Sequence, residues 1–336
     1  MPSYKQSGVD FSTVGKFRDS IIRELSFQGN KYRRTGGMGH YAGLVAFQDG
    51  FIALHTDGVG TKTILALQYG YFDEIGKDLI GMNVNDIICT GAQPIAMVDY
   101  IATSIFDEEM GSSIGKSINE ASIIAGIPIV GGETASVPDL INGIDISGTV
   151  VGYVKRGKEI TGKKISEGDL ILGLQSSGFH SNGFSLIRKV YERKMGILNE
   201  KFDHRPLWRA LLEGTKIYSK KVTEILDEED FDIHGMFHIT GGGLRNILRL
   251  KEMKYAFDIH DIPEIFKKVI GDGHIKMSEA FQVFNMGIGF VFIVPERDAD
   301  RLMQRLSEFN PQIIGKVENG SGLTVKKFGI KYSSYY

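Results

Sequence analysis

The segment 55-HTDGVGTK-62 constrains the fold most, because it joins an apolar run to a tight glycine turn. The run from Phe51 to Leu54 predicts a strand that ends on Asp57, and the glycines that follow let the backbone bend sharply. Free N–H groups at such a bend can point at an anion, whereas Asp57 suits a divalent cation that phosphates share. Lys62 adds a compact positive charge. The segment therefore predicts a Mg–nucleotide site, although taken alone a surface turn explains it equally well.

A second carboxylate, Asp86, lies in the segment 83-NVNDIICTGAQP-94. This segment belongs to a helical pattern from Asp73 to Gly91 whose other positions are largely apolar. A carboxylate in such surroundings must be hydrogen-bonded, paired or bound to metal. A core hydrogen bond and a second metal ligand both remain open, because Mg²⁺ that bridges nucleotide phosphates takes one or two protein carboxylates.

A third carboxylate, Glu133, follows the apolar run from Ile127 to Val130. Its surroundings, 131-GGETA-135, predict a glycine turn directly after a strand. Since α/β proteins bind ligands beyond strand ends, we expect Glu133 to join Asp57 and Asp86.

Three other glycine-rich stretches are candidate anion sites. The basic cluster Lys31–Arg34 enters 36-GGMG-39, which predicts either a flap over an anionic ligand or a solvated loop. The loop 175-QSSGFHSNGFSLIRK-189 runs into a helix whose N-terminus favours an anion, and its His180 is either structural or active in proton transfer. The turn 241-GGGLRN-246 precedes another predicted helix.

The chain length and the order of elements predict two domains of mixed α/β (α+β) structure. A chain of 336 residues exceeds one ordinary core, and its 42 glycines fall in clusters that indicate several ligand loops. Charge rises and apolar content falls in 155-KRGKEITGKKISEGD-169, so we divide the chain into residues 1–165 and 166–336. The pattern does not fix the order of strands in either sheet.

Composition excludes several classes of function. A net charge of −2 gives no support for binding nucleic acid. No apolar run approaches the roughly 20 residues that cross a bilayer, and none near the N-terminus has signal-peptide length, so we expect no membrane association. The single cysteine, Cys89, fits a reducing compartment. Together these features predict a cytoplasmic protein.

The order of eight short motifs gives a specific resemblance. They are YKQSGVD, DGVGTK, NVNDIICTGAQP, GGETA, SSGFHSNGFSLIR, GTKIYSKKV, HITGGGLRN and FNMGIG. This series resembles the phosphoribosylformylglycinamidine cyclo-ligases, also called aminoimidazole ribonucleotide synthetases, of purine biosynthesis. The likeness runs from Tyr4 to about Lys316 and so covers nearly the whole chain.

The resemblance implies the fold, the partners and the reaction. The fold would have a strand-rich N-terminal half that binds ATP and pairs two subunits into a homodimer, with the active-site cleft between it and the C-terminal half. Formylglycinamidine ribonucleotide and ATP would give 5-aminoimidazole ribonucleotide, ADP and phosphate, with Mg²⁺ as the metal. The formyl amide oxygen would first be phosphorylated, and the amidine nitrogen would then close the ring. Such a closure needs orientation more than a protein nucleophile.

The resemblance also assigns roles to residues. Asp57, Asp86 and Glu133 would hold the metal, and Lys62 would neutralise phosphate charge. The catalytic group would comprise Asp57, Asp86, His180 and Lys62. Further ATP or phosphate contacts would come from Lys31, Gly58, Gly60, Thr61, Gly241, Gly242 and Gly243. The substrate would meet Ser177, His180, Ser181 and Asn182.

Two alternatives remain at this point. The first is a phosphotransferase that resembles thiamine-monophosphate kinase, although its pattern lacks the SSGxHSNG run found at residues 176–183. The second is a non-catalytic nucleotide-binding protein on the same fold, which the loss of a metal carboxylate would favour. All three carboxylates are present.

Overall fold

A computed structural model describes residues 11–35 and 41–334 of the protein. Its two large sheets draw on separate stretches of the chain, residues 34–155 and residues 170–332. The segments 4–10 and 36–39, which carry part of the resemblance and the predicted flap, lie outside the described residues. Within the described part of the chain, no helix combines the length and apolarity needed to cross a membrane.

The N-terminal half contains a six-stranded sheet with the order β1-β2-β3-β6-β4-β5. Its strands are β1 (Arg34–Thr35), β2 (Gly43–Phe47), β3 (Gly50–Gly58), β4 (Gln93–Thr103), β5 (Ile129–Ser136) and β6 (Ile144–Lys155). Its helices are α1 (Phe11–Glu24), α2 (Lys62–Tyr69), α3 (Ile75–Ile88) and α4 (Glu108–Ala125). All strand pairs are antiparallel except β4 with β5.

The C-terminal half contains a seven-stranded sheet with the order β10-β12-β7-β13-β11-β14-β15. Its strands are β7 (Leu170–Gln175), β10 (Gly235–His238), β11 (Lys254–Phe257), β12 (Ile288–Val294), β13 (Gln312–Glu318), β14 (Gly322–Val325) and β15 (Ile330–Tyr332). A small hairpin pairs β8 (Lys201–Phe202) with β9 (Arg205–Pro206). The helices are α5 (Phe184–Tyr191), α6 (Leu207–Leu211), α7 (Ser219–Glu228), α8 (Glu264–Gly273), α9 (Met277–Val283) and α10 (Glu296–Arg305). The strand β12 is buried at every position, which explains its unbroken apolar sequence.

The helix α3 forms the centre of the N-terminal half. All but one of its residues are buried, because β3 and β6 contact it, α4 packs beside it, and the C-terminal half contacts it as well. Helix α4 begins at a cap in which the Asp107 carboxylate accepts a hydrogen bond from the Met110 N–H at 2.7 Å. It ends at Gly126, whose positive φ of 73° closes the last turn.

The opposite face of the N-terminal sheet is exposed and apolar. Leu54 of β3 and Ile95, Val98 and Tyr100 of β4 are each between 40% and 52% exposed. A bulge between Pro94 and Ala96 lets Ile95 point to the same side as Val98. This outer face, defined by these four residues, has no covering layer among the described residues.

The structure differs from the predicted elements in two informative places. The sequence from Trp208 to Asp227 predicts one continuous helix, but an irregular segment that carries Gly214 and Thr215 separates α6 from α7. The segment 131–135, predicted as a glycine turn, instead continues β5 to Ser136. The glycines of β5 lie at the exposed edge of the sheet beside β4, where an extended backbone needs no positive φ.

Candidate active site

A carboxylate pair lies where β3 ends over α3. His55 and Asp57 alternate along β3 and so share the sheet face that α3 covers. Asp86 projects from α3 toward them, with its Oδ2 3.5 Å from the His55 Nε2. One ligand atom from each of His55, Asp57 and Asp86 lies within 4.8 Å of the other two. Two of the three predicted carboxylates therefore meet, and a histidine stands in the place expected for the third.

Asn83 fixes the end of β3 on α3. The Asp57 N–H donates to the Asn83 Oδ1 at 3.0 Å, and the Asn83 Nδ2 donates back to the Asp57 carbonyl at 3.2 Å. The Asp57 Oδ1 also accepts a hydrogen bond from the Gly58 N–H at 2.7 Å. These contacts explain why a helix former would not serve at position 83, since the amide side chain sets the position of Asp57.

His238 holds Asp86 from the other half of the molecule. Its Nδ1 lies 2.7 Å from the Asp86 Oδ1, and its ring is fully buried at the end of β10. Sequence reasoning missed this residue, although it opens the quoted motif HITGGGLRN. A short apolar strand that ends on a histidine before a glycine turn is the signal that could have indicated it. Asp86 can therefore make a core hydrogen bond and also bind a metal, because one of its oxygens is hydrogen-bonded and the other faces the site.

The electrostatics of the pair fit a cation. Burial raises the pKa of Asp57 to about 6, and the Asp86 carboxylate adds to the increase. Two adjacent carboxylates in a partly desolvated site repel one another unless a positive ion or a proton lies between them. The His55 Nε2 is buried and has no hydrogen-bond partner among the described residues. These residues therefore fit a divalent cation, with oxygen ligands of the kind Mg²⁺ takes.

Glu133 is not part of this cluster within one chain, which corrects the expectation of three converging carboxylates. It is an exposed residue in the middle of β5, paired with Tyr100 on β4. The strands β6 and β4 separate β5 from β3, so three strand spacings of about 4.8 Å place it about 14 Å from Asp57. The sequence reading failed because it ended the strand before Glu133.

Lys62 lies at the contact between the two halves of the molecule. Its side chain is fully buried, and its Nζ lies 2.6 Å from the Asp78 Oδ2. The same Nζ donates to the carbonyl of His180 at 3.0 Å and to that of Glu213 at 2.7 Å. An ammonium group has three hydrogens, so this conformation leaves none for a phosphate. Lys62 instead joins α2 and α3 to two loops of the C-terminal half.

His180 is also buried rather than facing a substrate. Its Nε2 accepts hydrogen bonds from the backbone N–H groups of Ser177 at 3.3 Å and Lys216 at 3.4 Å. Burial lowers the pKa of His180 well below its usual value, and the positive charge of Lys62 acts in the same direction. Burial therefore favours the neutral form of the imidazole. In this conformation it supports its loop, as the structural alternative in the sequence analysis expects, and the role in proton transfer stays a prediction.

The remaining residues of the 176–183 loop line the junction of the two halves. The Ser181 hydroxyl donates to the Val59 carbonyl at 2.5 Å, and the Ser177 hydroxyl donates to the Gly214 carbonyl at 2.5 Å. Asn182 is half-buried, and its Oδ1 would lie 3.6 Å from a Cβ at Gly241. The loop thus meets both the turn after β3 and the turn after β10.

The predicted phosphate turns differ in how open they are. Gly60 is exposed with a φ of +67° and open space around its Cα, whereas the Thr61 hydroxyl is already 3.1 Å from the Ser185 hydroxyl. Gly242 and Gly243 are buried with positive φ, and a Cβ at Gly243 would meet the Phe281 carbonyl oxygen at 2.1 Å. The glycines after β10 are therefore required at least in part by packing.

Lys31 is not brought to the carboxylate pair. It is exposed, and its Nζ lies 5.2 Å from the centre of the Tyr32 ring. It precedes β1, whose Arg34 lies level with Ile52, five residues before Asp57 along β3. Five residues of strand span about 17 Å.

Comparison with known proteins agrees with this architecture in both halves. The family model described as AIR synthase related protein, N-terminal domain, matches residues 39–154. The model of the corresponding C-terminal domain matches residues 166–327. These matches cover both halves of the chain and show that it is an AIR synthase related protein.

Curated relatives narrow this class to one family. The phosphoribosylformylglycinamidine cyclo-ligase of Pyrococcus horikoshii is 43% identical, with 98% of this chain and 99% of the relative covered. Those of Thermococcus kodakarensis and Methanocaldococcus jannaschii are 44% and 43% identical, with at least 98% of each chain covered. The chain belongs to the phosphoribosylformylglycinamidine cyclo-ligase family.

Solved structures share the fold at low identity. A HypE–HypF complex aligns with a TM-score of 0.68 and 19% identity, over 94% of this chain and 98% of the solved chain. AaThiL complexed with AMPPCP and TMP aligns with a TM-score of 0.66 and 16% identity, over 97% and 98%. At these identities the likeness establishes the fold alone.

Proposed function

We propose that this protein closes the imidazole ring of formylglycinamidine ribonucleotide in purine biosynthesis, with ATP as the phosphoryl donor. The products are 5-aminoimidazole ribonucleotide, ADP and phosphate. The proposal rests mainly on one observation: the chain is 43–44% identical to cyclo-ligases over nearly its full length. The carboxylate pair at the end of β3 supports it. The AMPPCP and ATP complexes of two fold neighbours support the use of ATP.

The reaction requires activation of a poor leaving group. The formyl amide oxygen attacks the terminal phosphorus of ATP, and ADP leaves. The amidine nitrogen then attacks the activated carbon, the bond from that carbon to the phosphorylated oxygen breaks, and the nitrogen loses a proton. A bound Mg²⁺ would neutralise phosphate charge during the first step.

The chain's own residues would position these groups. We assign Asp57 and Asp86 as the metal carboxylates, with Asn83 and His238 holding them in place by the hydrogen bonds described above. Gly60 and Thr61, and Gly241 beside Asn182, remain the proposed contacts to phosphate and substrate. These residues lie on both halves, so the substrate would be held between them.

The carboxylate roles are tested by Asp57→Asn and Asp86→Asn. Each substitution removes a negative charge from the site but keeps the size of the side chain, so we expect kcat to fall at least about 10²- to 10³-fold while the fold is retained. Asp145→Asn, at an exposed carboxylate of β6 in the same half, is the matched control and should retain activity. Circular dichroism would verify folding. Near wild-type turnover in either site variant would overturn the metal assignment.

The reaction itself is tested by incubating the purified protein with Mg–ATP and formylglycinamidine ribonucleotide, with thiamine monophosphate in a parallel assay. We expect ADP and a diazotisable aminoimidazole to appear together with the first substrate only. ADP formation with thiamine monophosphate alone would instead indicate a kinase. Nucleotide binding without turnover of either compound would indicate a non-catalytic binding protein.

The proposal includes the assembly, the domain division and the location. The outer face of the N-terminal sheet supports a homodimer, because contiguous exposed apolar surface marks interaction sites. We retain residues 1–165 and 166–336 as the two domains, since the last strand of one sheet ends at Lys155 and the first of the other begins at Leu170. A single, buried cysteine supports a cytoplasmic location.

A further inference from the structure

The His55 Nε2 makes no hydrogen bond with the described residues. The side chain is only 14% exposed, and its Nε2 is buried. Buried ring nitrogens are nearly always hydrogen-bonded, because an unpaired polar group in the interior loses the stabilisation of water. A histidine in this position therefore implies a partner of another kind.

The geometry around the His55 Nε2 points to a cation. The Asp86 Oδ2 is 3.5 Å away, beyond the usual 2.7–3.2 Å of an N–H···O hydrogen bond. That separation instead matches two ligand atoms on one ion, which lie about 3 Å or more apart when each is about 2.1 Å from the metal. The Asp57 carboxylate completes a group whose ligand atoms lie within 4.8 Å of one another.

His238 has a different role in the same cluster. Its Nδ1 is engaged with the Asp86 Oδ1 at 2.7 Å, and its Nε2 lies 3.5 Å from the Asn85 Nδ2. His238 thus orients a carboxylate through the Asp86 Oδ1, whereas the His55 Nε2 lies 3.5 Å from the other oxygen, Oδ2. The two histidines lie near different oxygens of the Asp86 carboxylate and can be distinguished by substitution.

We propose that His55 supplies an imidazole nitrogen to the divalent cation at the Asp57–Asp86 site. The site then has a mixed nitrogen and oxygen ligand set and favours Mn²⁺ or Co²⁺ over Mg²⁺ more strongly than two carboxylates alone would. Imidazole is a good ligand for transition metals, whereas Mg²⁺ prefers oxygen and retains its waters. The inference rests on the metal site of the proposed function and extends it to metal selectivity.

The test is pulsed electron paramagnetic resonance on the full-length protein with Mn²⁺ and ADP. Coupling to phosphorus reports that the ion touches the nucleotide, and coupling to an imidazole nitrogen reports a histidine ligand. We expect both couplings in the wild type. His55→Gln should lose the nitrogen coupling, keep the phosphorus coupling and bind Mn²⁺ at least about tenfold more weakly, with a smaller change for Mg²⁺.

Two control variants complete the design. His204→Gln removes a histidine that is 91% exposed and should leave both couplings unchanged. His238→Gln should keep the nitrogen coupling, because that ring acts through Asp86. Persistence of the nitrogen coupling in His55→Gln would overturn the assignment.

The outcomes also separate this inference from the proposed function. Phosphorus coupling without nitrogen coupling in the wild type would overturn the role of His55 and leave the nucleotide–metal site standing. Absence of bound Mn²⁺ in the wild type, with ADP bound, would overturn both. If His55→Gln failed to fold, His55→Asn would replace it, with circular dichroism as the check.

Discussion

At the scale of single residues, Lys62 belongs to a predicted phosphate-binding motif, but its ammonium group is buried in an ion pair with Asp78. We expect Lys62→Met to lower the free energy of unfolding by about 3–5 kcal/mol, because it leaves the buried Asp78 carboxylate without its counter-charge. Lys62→Met with Asp78→Asn should be less destabilised than Lys62→Met, since an asparagine oxygen can still accept the Thr215 hydrogen bonds. Urea unfolding followed by fluorescence of Trp208, the single tryptophan, measures both. Wild-type stability with weakened ATP binding in Lys62→Met would restore the predicted phosphate role.

His180 gives the protein a specific pH dependence. Its folded pKa lies well below the ordinary value of 6.5, so the unfolded chain takes up a proton first as the pH falls. Stability is therefore complete above about pH 6.5 and is lost as the pH falls toward the folded pKa. Between pH 7 and pH 5 the wild type should lose up to about 2 kcal/mol more than His180→Gln, at about 1.4 kcal/mol per pH unit. Equal losses in urea unfolding at both pH values would show that His180 is not buried neutral.

At the scale of elements, the contact of α3 with α4 depends on glycine. A Cβ at Gly76 would lie 2.1 Å from the Ser117 carbonyl carbon, so Gly76→Ala must push the two helices apart. We expect a loss of about 3 kcal/mol. Gly115, on α4, has open space and is the matched control, since Gly115→Ala should stabilise the helix by about 0.5–1 kcal/mol. Thermal unfolding of the two variants measures this contrast, and similar shifts in both would contradict the close contact.

The strands and helices also differ in how well the sequence predicts them. The apolar run from Phe51 to Leu54 predicts the strand β3, and the helical pattern from Asp73 to Gly91 predicts α3, and both are present. Sequence patterns do not predict the strands β13, β14 and β15. The first two pair with β7 or β11, which are distant in sequence, and β15 is only 3 residues long. Glu133 was misplaced for a related reason: two glycines predicted a turn, but pairing with β4 keeps that segment extended.

At the scale of the whole molecule, the candidate site depends on contacts that no local pattern encodes. The motifs gave Asp57 and Asp86, since a carboxylate after a strand or in an apolar helix stands out. They could not show that His238, which is 152 positions from Asp86, closes the site from the other half. Nor could they show that the Lys62 ammonium group donates to the carbonyl of His180, which is 118 positions away, and so joins the two halves. The prediction of the site was limited by the large sequence separation of its residues, and not by weak secondary-structure propensities.

The proposed homodimer gives the last prediction, because we propose that its two copies meet through the outer face of the N-terminal sheet. A two-fold dimer uses the same surface patch on both copies, so one substitution there acts twice. We expect the wild type to have a solution mass near twice 37.2 kDa, and Val98→Asp to run as a monomer, because a carboxylate would be buried against apolar Leu54, Ile95 and Tyr100 of the interface. Ile123→Asp, at a residue of α4 that is 68% exposed, is the control and should stay dimeric. Light scattering coupled to gel filtration measures each mass. A monomeric wild type would contradict the homodimer. A dimeric Val98→Asp together with a monomeric Ile123→Asp would show that the outer face is not the interface.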